Sequence, residues 1–241
     1  MYQGAAPYYD ILYRFKDYAQ EVSRILTLLG EPQVTAGKQD TRPTLLDVAC
    51  GTGVHLAHFA EHFTVEGLDL SEDLLLLARE RLPEVPLHCA DMRTFQLDRT
   101  FDVVTCLFSA IGYVHSVSEL DQTIARMAEH VAPGGSLVVE PWFTPEVYRA
   151  NTTHLLTIDE PELKIARVNT STREGNLSIM ELHHLIGTPE ETKHVVERHE
   201  LFLFTPEEMV DAFEKCGLEV EIDEEGLIGR GLYLGRKEGS R

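Results

Sequence analysis

The chain has 241 residues, of which 43% are hydrophobic, and this is enough for one large domain or for one domain with a substantial insertion. Its 40 acidic and 21 basic residues give a formal charge of -19, and the basic residues form no cluster, which argues against nucleic acid as a substrate. The start, MYQGAAPYYD, lacks a basic segment followed by an apolar one, and the longest apolar run, at 74–78, is too short to cross a bilayer. We therefore expect a cytoplasmic protein without membrane contact.

The first half of the chain alternates between helix-like and strand-like patterns. Apolar residues at helical spacing predict an opening helix over 16–29, which Gly30 ends, and a polar linker follows at 33–43. Strand patterns at 44–49, 64–70, 85–90, 101–108 and 136–140 then alternate with helices from about 55, from 71 and over 118–131. This order predicts an α/β fold with a doubly wound, mostly parallel, Rossmann-like sheet.

After residue 142 the pattern changes. Strand-like segments at 154–159, 163–172, 176–186 and 195–204 follow one another with polar turns and no helix between them, which predicts an antiparallel β insertion after the fifth strand. A helix then begins at Thr205, which forms a capping box with Glu208, and two strands at 218–223 and 231–236 close the chain. The predicted parts are therefore an opening segment (1–39), a ligand-binding unit (40–141), the insertion (142–204) and a closing part (205–241).

A glycine turn, DVACGTG, connects the first strand to the first helix of the doubly wound unit. Gly51 and Gly53 allow the backbone to approach a ligand closely, and Asp69 ends the next strand, where a carboxylate accepts hydrogen bonds from ribose hydroxyls. A dinucleotide site requires a third glycine, but Leu56 occupies that position, and Asp47 adds an acid suited to an ammonium group. The pattern predicts a site for a cationic, phosphate-free nucleoside. The alternative is a glycine turn that serves only the chain reversal and binds no ligand.

The segments LLDVACGTG and GLDLS resemble the class I S-adenosylmethionine-dependent methyltransferases. The resemblance implies this cofactor, with S-adenosylhomocysteine as its product. It also implies that Asp69 and Leu70 contact the ribose and that Asp91 and Met92 bracket the adenine, although Asp91 could instead cap a turn. The residues implied to flank the methionine part or to make further cofactor contacts are Tyr18, Asp47, Ala49, Gly51, Thr52, Gly53 and Phe108.

Further segments resemble a narrower group, the bacterial N,N-dimethyltransferases of nucleotide-linked amino-deoxysugars. These are YDILY, FSAIGYV, VVEPWF, STREGN, MELHHLI and GRGLYLG. The resemblance implies a dTDP-type amino-sugar as methyl acceptor, an antiparallel layer over the acceptor side and a homodimer. A free amine, an amino acid or a carboxylate remains an alternative acceptor, and nucleoside binding without turnover is the alternative outside enzymes.

Methyl transfer to an amine requires mainly positioning, because the sulfonium methyl is already activated. The resemblance implies that Tyr13 and Tyr113 line the transfer site, and His183 is a third catalytic candidate. A tyrosine is a poor base, with an ordinary pKa of about 10, and both tyrosines could instead serve in packing. Glu140, Trp142 and His115 are candidates for contacts with the acceptor, and Arg230 for a contact with its diphosphate.

No metal site is predicted. His55 and His58 lie at i, i+3 without the carboxylate of a metalloprotease motif, and the four cysteines are scattered without metal-ligand spacing.

Overall fold

The structure is a computed structural model that describes residues 4, 6–30 and 42–239. Most of the predicted linker at 33–43 lies outside the described residues. The helices are α1 (Tyr9–Leu12), α2 (Tyr18–Leu29), α3 (Val54–Phe59), α4 (Glu72–Arg81), α5 (Val117–Glu129) and α6 (Pro206–Glu214). The strands are β1 (Thr44–Val48), β2 (Thr64–Asp69), β3 (Leu87–Cys89), β4 (Phe101–Cys106), β5 (Val131–Val139), β6 (Thr152–Glu160), β7 (Leu163–Glu174), β8 (Leu177–Gly187), β9 (Thr192–Phe202), β10 (Leu218–Asp223) and β11 (Leu232–Lys237).

Seven strands form the main sheet in the order β10-β11-β5-β4-β1-β2-β3. The central strands pair in parallel, whereas β11 pairs antiparallel with both β5 and β10. The strand order reverses between β1 and β4, so a crevice opens at their carboxyl ends, where open α/β sheets bind ligands. The predicted fold class, including the insertion after the fifth strand, is confirmed.

Alternate residues of the main strands enter hydrophobic cores on opposite faces of the sheet. Leu46 and Val104 pack with α5 and α6 on one face, and Leu45 and Val103 pack with α2 and α3 on the other. Each fully buried side chain of this kind contributes roughly 1.5–3 kcal/mol. Burial on both faces explains why these strands are almost continuously apolar.

The helices begin where capping residues allow. Thr205 and Glu208 form the predicted capping box at α6. Ser71 accepts a hydrogen bond from the Leu74 amide at the start of α4. The opening helix starts at Tyr18, two residues later than predicted, because Asp17 caps it by accepting a hydrogen bond from the Gln20 amide.

The insertion is a separate four-stranded antiparallel sheet in the order β6-β7-β8-β9. Its inner face, which meets the rest of the chain, carries Leu156, Arg167, His184 and Val195 in one register row. The short helix α1, which the sequence did not predict, packs Leu12 against this sheet, in a cluster with Ile158, Ile165 and Ile186. The opening segment therefore bridges the two sheets and brings Tyr13 between them.

Candidate active site

A cavity of about 700 Å³ lies between the carboxyl ends of the main sheet and the inner face of the four-stranded sheet. Its walls come from the opening segment, the glycine turn, the ends of β2, β3 and β4, and strands β7, β8 and β9. Volumes in this range are typical of sites for small molecules and cofactors. The cavity thus joins the predicted nucleoside site to the predicted acceptor side.

The glycine turn enters this cavity through Gly51. Its φ is +57°, and a Cβ atom built there would meet nothing within 4 Å, so the backbone faces open space. Gly53 also has a positive φ, but its Cβ would lie 3.3 Å from the Cβ of Ala78. Gly53 therefore serves the packing of the turn on α4, and the structure places it beside the cavity wall and not in it.

Asp69 joins the glycine turn to the start of α4. Its two carboxylate oxygens accept hydrogen bonds of 2.8 Å from the amides of Gly51 and Ser71. Burial raises the pKa of Asp69, and these backbone hydrogen bonds oppose the rise. Leu70 follows with 64% of its surface exposed in the cavity wall, where an apolar face can cover a flat ring.

Asp91 forms another part of this wall. It accepts a 2.9 Å hydrogen bond from the amide of Arg93 and also pairs with the Arg93 guanidinium, which lowers the Asp91 pKa. Asp91 thus caps a turn and also lines the cavity. Its position is compatible with both predictions, the contact with adenine and the turn cap.

Asp47 is a buried carboxylate in the cavity floor. Burial raises its pKa to about 7, against a smaller lowering by the hydrogen bond from the Thr105 hydroxyl, and the nearby Asp69 adds to the rise. A ligand cation next to Asp47 would favour its charged form.

A buried ion-pair network lies beside the glycine turn. The Lys16 Nζ lies 2.7 Å from one Glu21 oxygen, and His55 Nε2 lies 2.7 Å from the other. Burial raises the pKa of Glu21, but the hydrogen bonds from His55 and Lys16 outweigh it, and the net pKa is lowered. Lys16 also lies over the Phe108 ring at 4.2 Å, and Tyr18 packs edge-on against His55. The network places a cation and two aromatic rings at the cavity wall.

The segment after β4 has an unusual backbone. Phe108 and Ser109 both have positive φ, at 52° and 60°. This conformation turns the Phe108 ring towards Tyr13, whose ring lies 5.1 Å away in an edge contact. Burial raises the pKa of Tyr13, opposed by the Arg167 guanidinium near its ring.

Glu140 supports the backbone of this segment from the side away from the cavity. It is fully buried and accepts a 2.6 Å hydrogen bond from the Phe108 amide, and it does not line the cavity. The structure thus places Glu140, a predicted acceptor contact, outside the cavity wall, where its carboxylate supports the backbone of Phe108.

Arg230 lies against the aromatic end of the cavity. Its guanidinium is 4.4 Å from the Trp142 ring centre and 4.8 Å from that of Phe143, and it donates a 2.8 Å hydrogen bond to Ser109. Burial lowers the pKa of Arg230, but an arginine stays charged at neutral pH. The Trp142 indole is itself fixed by donating to the Ser178 hydroxyl at 2.9 Å.

Tyr113 connects the cavity to a buried polar cluster in the four-stranded sheet. Its hydroxyl lies 2.7 Å from His199 Nδ1. The Glu197 Oε2 atom lies 3.6 Å from His199 Nε2 and 3.3 Å from His184 Nε2. All three sheet residues are less than 10% exposed.

His183 lies on the other side of this sheet. Adjacent strand residues face opposite ways, and His184 takes the inner position, so His183 points outward. Its ring stacks on His194 and contacts Glu181 at 2.8 Å. The structure thus places His183, a predicted catalytic candidate, on the outer face of the sheet and away from the cavity wall.

The cavity wall brings together most of the other predicted residues. They are Tyr13, Tyr18, Asp47, Ala49, Gly51, Thr52, Asp69, Leu70, Asp91, Met92, Phe108, Tyr113, His115, Trp142 and Arg230. Lys16, Arg167 and His199 also line it and were missed. The sequence did contain a signal for two of them. Side chains alternate between the two faces of a strand, so Arg167 lies on the same face of β7 as the buried Ile165, and His199 lies on the same face of β9 as the buried Leu201.

Within the described ranges, no group of three or more histidine, cysteine or acidic side chains is arranged to hold a metal ion. Likewise, the helices of the described part are all too short or too polar to cross a membrane.

Comparison with known proteins adds sequence relatives to this geometry. Residues 45–135 match the family model of a methyltransferase domain. The chain is 42% identical to dTDP-3-amino-3,6-dideoxy-alpha-D-glucopyranose N,N-dimethyltransferase of Streptomyces fradiae, over 95% of this chain and 89% of that one. It is 43% identical to dTDP-3-amino-3,4,6-trideoxy-alpha-D-glucopyranose N,N-dimethyltransferase of Streptomyces venezuelae, over 95% and 96%.

A solved structure extends the likeness to three dimensions. The amino pentose methyltransferase CalS10 of Micromonospora echinaspora, solved with S-adenosylmethionine bound, is 39% identical and superposes with a TM-score of 0.84, covering 95% of this chain and 96% of that one.

Proposed function

This chain belongs to the family of S-adenosylmethionine-dependent N,N-dimethyltransferases of dTDP-linked amino-deoxysugars, and we propose that its cavity performs this reaction with the residues described above. The observation that carries the proposal is that one cavity contains both the glycine turn with Asp69 and an aromatic end with two arginines. The first part suits a nucleoside cofactor and the second suits an acceptor that carries phosphates.

The residues at the carboxyl ends of β1 and β2 fit S-adenosylmethionine. Gly51 faces open space, and the buried Asp47 carboxylate would gain from a neighbouring cation. We assign the ribose to Asp69, the ammonium group to the side of Asp47, and the carboxylate to Lys16. When bound, the cofactor supplies a methyl group activated by its sulfonium charge, and the protein has to position the amine and exclude water.

Tyr13 and Tyr113 are the proposed positioning groups for the amine. Tyr13 is held between Phe108 and Arg167, and Tyr113 is held by His199. Rings fixed in this way orient an acceptor at little entropic cost, because their own rotation is already restricted.

Arg230 and Arg167 are the proposed contacts to the diphosphate. Arg230 is pre-oriented by its stacking on Trp142 and by its hydrogen bond to Ser109. The buried Nε and Nη1 atoms of Arg167 have no hydrogen-bond partner among the described residues. An anionic oxygen would satisfy such donors, and guanidinium groups bind phosphates through paired hydrogen bonds.

The proposed oligomer is a homodimer formed through the outer face of the four-stranded sheet. There, one register row carries Leu155, Val168, His183 and Val196, with Leu185 beside it; we call these residues the outer stripe. Leu155 is 67% exposed and Leu185 is 52% exposed. A largely apolar stripe on an exposed sheet face is typical of an interaction surface, and a second copy of the same chain offers a matching one.

The activity is tested by incubating the protein and S-adenosylmethionine with dTDP-3-amino-3,6-dideoxy-glucose, the same amino-sugar without its nucleotide, and simple amines. Mass spectrometry should show successive gains of one and two methylene units on the nucleotide sugar, with little transfer to the other compounds. Transfer to a free amine in preference to the nucleotide sugar would overturn the proposed acceptor.

A further inference from the structure

The cluster of Tyr113, His199, Glu197 and His184 lies outside the requirements of cofactor binding. It joins the acceptor end of the cavity to the interior of the four-stranded sheet through a 2.7 Å contact between the Tyr113 hydroxyl and His199 Nδ1. His199 is 4% exposed, and Glu197 is 8% exposed. Burying two histidines and a carboxylate here costs free energy unless they serve each other or a ligand.

The backbone contact that brings Tyr113 to His199 depends on Gly112. A Cβ atom at this position would lie 3.1 Å from the Leu201 side chain and 3.2 Å from the Trp142 Cβ. The absence of a side chain therefore lets the turn at Ala110–Tyr113 lie directly against β9, two residues from His199.

The reaction provides a use for this arrangement. An amine is mostly protonated at neutral pH, with ordinary pKa values of about 8 to 10, and only its neutral form has the lone pair that attacks a methyl group. Each transfer forms one C–N bond, breaks one S–C bond and leaves the nitrogen positively charged. A second transfer to the same nitrogen therefore requires that a proton first leaves it.

We propose that His199, positioned by Glu197, receives this proton from the acceptor amine through the hydroxyl of Tyr113. The ammonium group gives a proton to the Tyr113 oxygen while the Tyr113 proton passes to His199 Nδ1. The amine becomes neutral, Tyr113 is unchanged, and His199 becomes an imidazolium ion next to the Glu197 carboxylate. This proposal rests on the proposed amine acceptor.

Glu197 is suited to stabilising the protonated form of His199. Burial raises the pKa of Glu197, but the neighbouring His184 and His199 side chains lower it by more than burial raises it, so the net pKa is about 2. Glu197 is therefore a carboxylate throughout the working range and stabilises an imidazolium, as the acid of a hydrolase triad does for its histidine.

The other charged and titratable groups that face the cluster are Arg167 from β7, which is the register partner of His184, and Tyr13 from the opening segment. The positive charge of Arg167 opposes protonation of the cluster, so the proton should pass on to solvent between turnovers.

The test compares the wild type with His199→Gln, Glu197→Gln and Tyr113→Phe under single-turnover conditions, using the monomethylated nucleotide sugar from pH 6.5 to 9.5. His199→Gln should lower the rate constant roughly 100-fold at neutral pH, the size of a general base contribution, and the deficit should shrink to about threefold at the alkaline end, where the amine is already neutral. Adding Tyr113→Phe to His199→Gln should cost little more, because both act on one proton path.

A merely structural role predicts a deficit that is the same at every pH, and this result would overturn the proposal. An unchanged rate in His199→Gln would also overturn it. His62→Gln, an exposed histidine away from the cavity, is the matched control. Thermal unfolding and S-adenosylmethionine affinity, measured for each variant, exclude misfolding. Failure of the proposed acceptor is recognised separately, because the wild type itself would then methylate no nucleotide sugar.

Discussion

The hydroxyl of Thr105 donates a 2.7 Å hydrogen bond to the carboxylate of Asp47, and the two residues are register partners on β4 and β1. Both side chains are buried, so this single hydroxyl replaces only part of the hydration that the carboxylate loses. The result is a carboxyl group with a pKa of about 7 at the point where the strand order reverses.

Binding of S-adenosylmethionine should therefore release a proton from Asp47. The folded pKa is raised, so between about pH 4 and pH 7 the folded protein holds a proton that the unfolded chain has lost, and the contribution of Asp47 to stability falls as pH rises through this window. A ligand cation lowers this pKa and releases the proton. Calorimetry near neutral pH in two buffers of different ionisation enthalpy measures the release.

Asp47→Asn should abolish this proton release and weaken cofactor binding, whereas the exposed Asp211→Asn should change neither. Equal proton release in the wild type and in Asp47→Asn would contradict the assignment of Asp47 to the ammonium group.

The Lys16–Glu21–His55 network predicts a strong effect on stability. Lys16→Met removes the cation from a buried carboxylate and should reduce the free energy of unfolding by roughly 3–5 kcal/mol in urea at neutral pH. The Glu21 pKa is lowered in the folded state, so its stabilising contribution is present at neutral pH and is lost as pH falls through the folded value.

The double variant Lys16→Met, Glu21→Gln should recover much of this loss, because no unpaired charge is left. Arg14→Met, which breaks an exposed pair with Glu160, should cost less than about 1 kcal/mol. If the double variant were no more stable than Lys16→Met, the unpaired charge could not be the cause.

Local spacing explains why some of the site could be predicted from the sequence. Gly51 and Asp69 are placed by a strand, a tight turn and the end of the adjacent parallel strand, and that geometry recurs wherever this pattern occurs. Thr205 and Glu208 determine their helix start by contacts three residues apart. Such features depend on neighbours along the chain and on the pairing of β1 with β2.

The missed residues depend on contacts distant in sequence. From the sequence alone, a lysine such as Lys16 is expected at the surface. It is buried in part because the Phe108 ring covers it, and the position of that ring depends on the left-handed backbone conformation of Phe108. The sequence does not show which of His183 and His184 faces inward, because β8 carries apolar residues on both faces and its alternation does not identify the inner one.

Arg230→Lys tests the diphosphate contact. Lysine keeps the charge but loses the planar fork and the stacking on Trp142, so the KM for the nucleotide sugar should rise roughly 10- to 100-fold, as expected for losing one or two hydrogen bonds to a charged group. The affinity for S-adenosylmethionine should stay the same. Steady-state kinetics and calorimetry provide the two values.

Arg236→Lys, an exposed change on β11, the strand that follows Arg230, is the control and should leave both values as they are. A fall in cofactor affinity equal to the rise in KM would place Arg230 in a general structural role instead.

The outer stripe predicts the oligomeric state. Leu155 and Val196 lie at its two ends, so the double variant Leu155→Asp, Val196→Asp places two acids in the interface of each copy and should convert a dimer into a monomer. Sedimentation equilibrium measures the mass, and circular dichroism checks that the variant is folded. Leu76→Asp, a change at a leucine of α4 that is 54% exposed, should leave the dimer intact, because α4 packs on the main sheet away from the stripe. If the wild type sediments as a monomer, or if the double variant remains a dimer, the outer stripe is not a dimer interface.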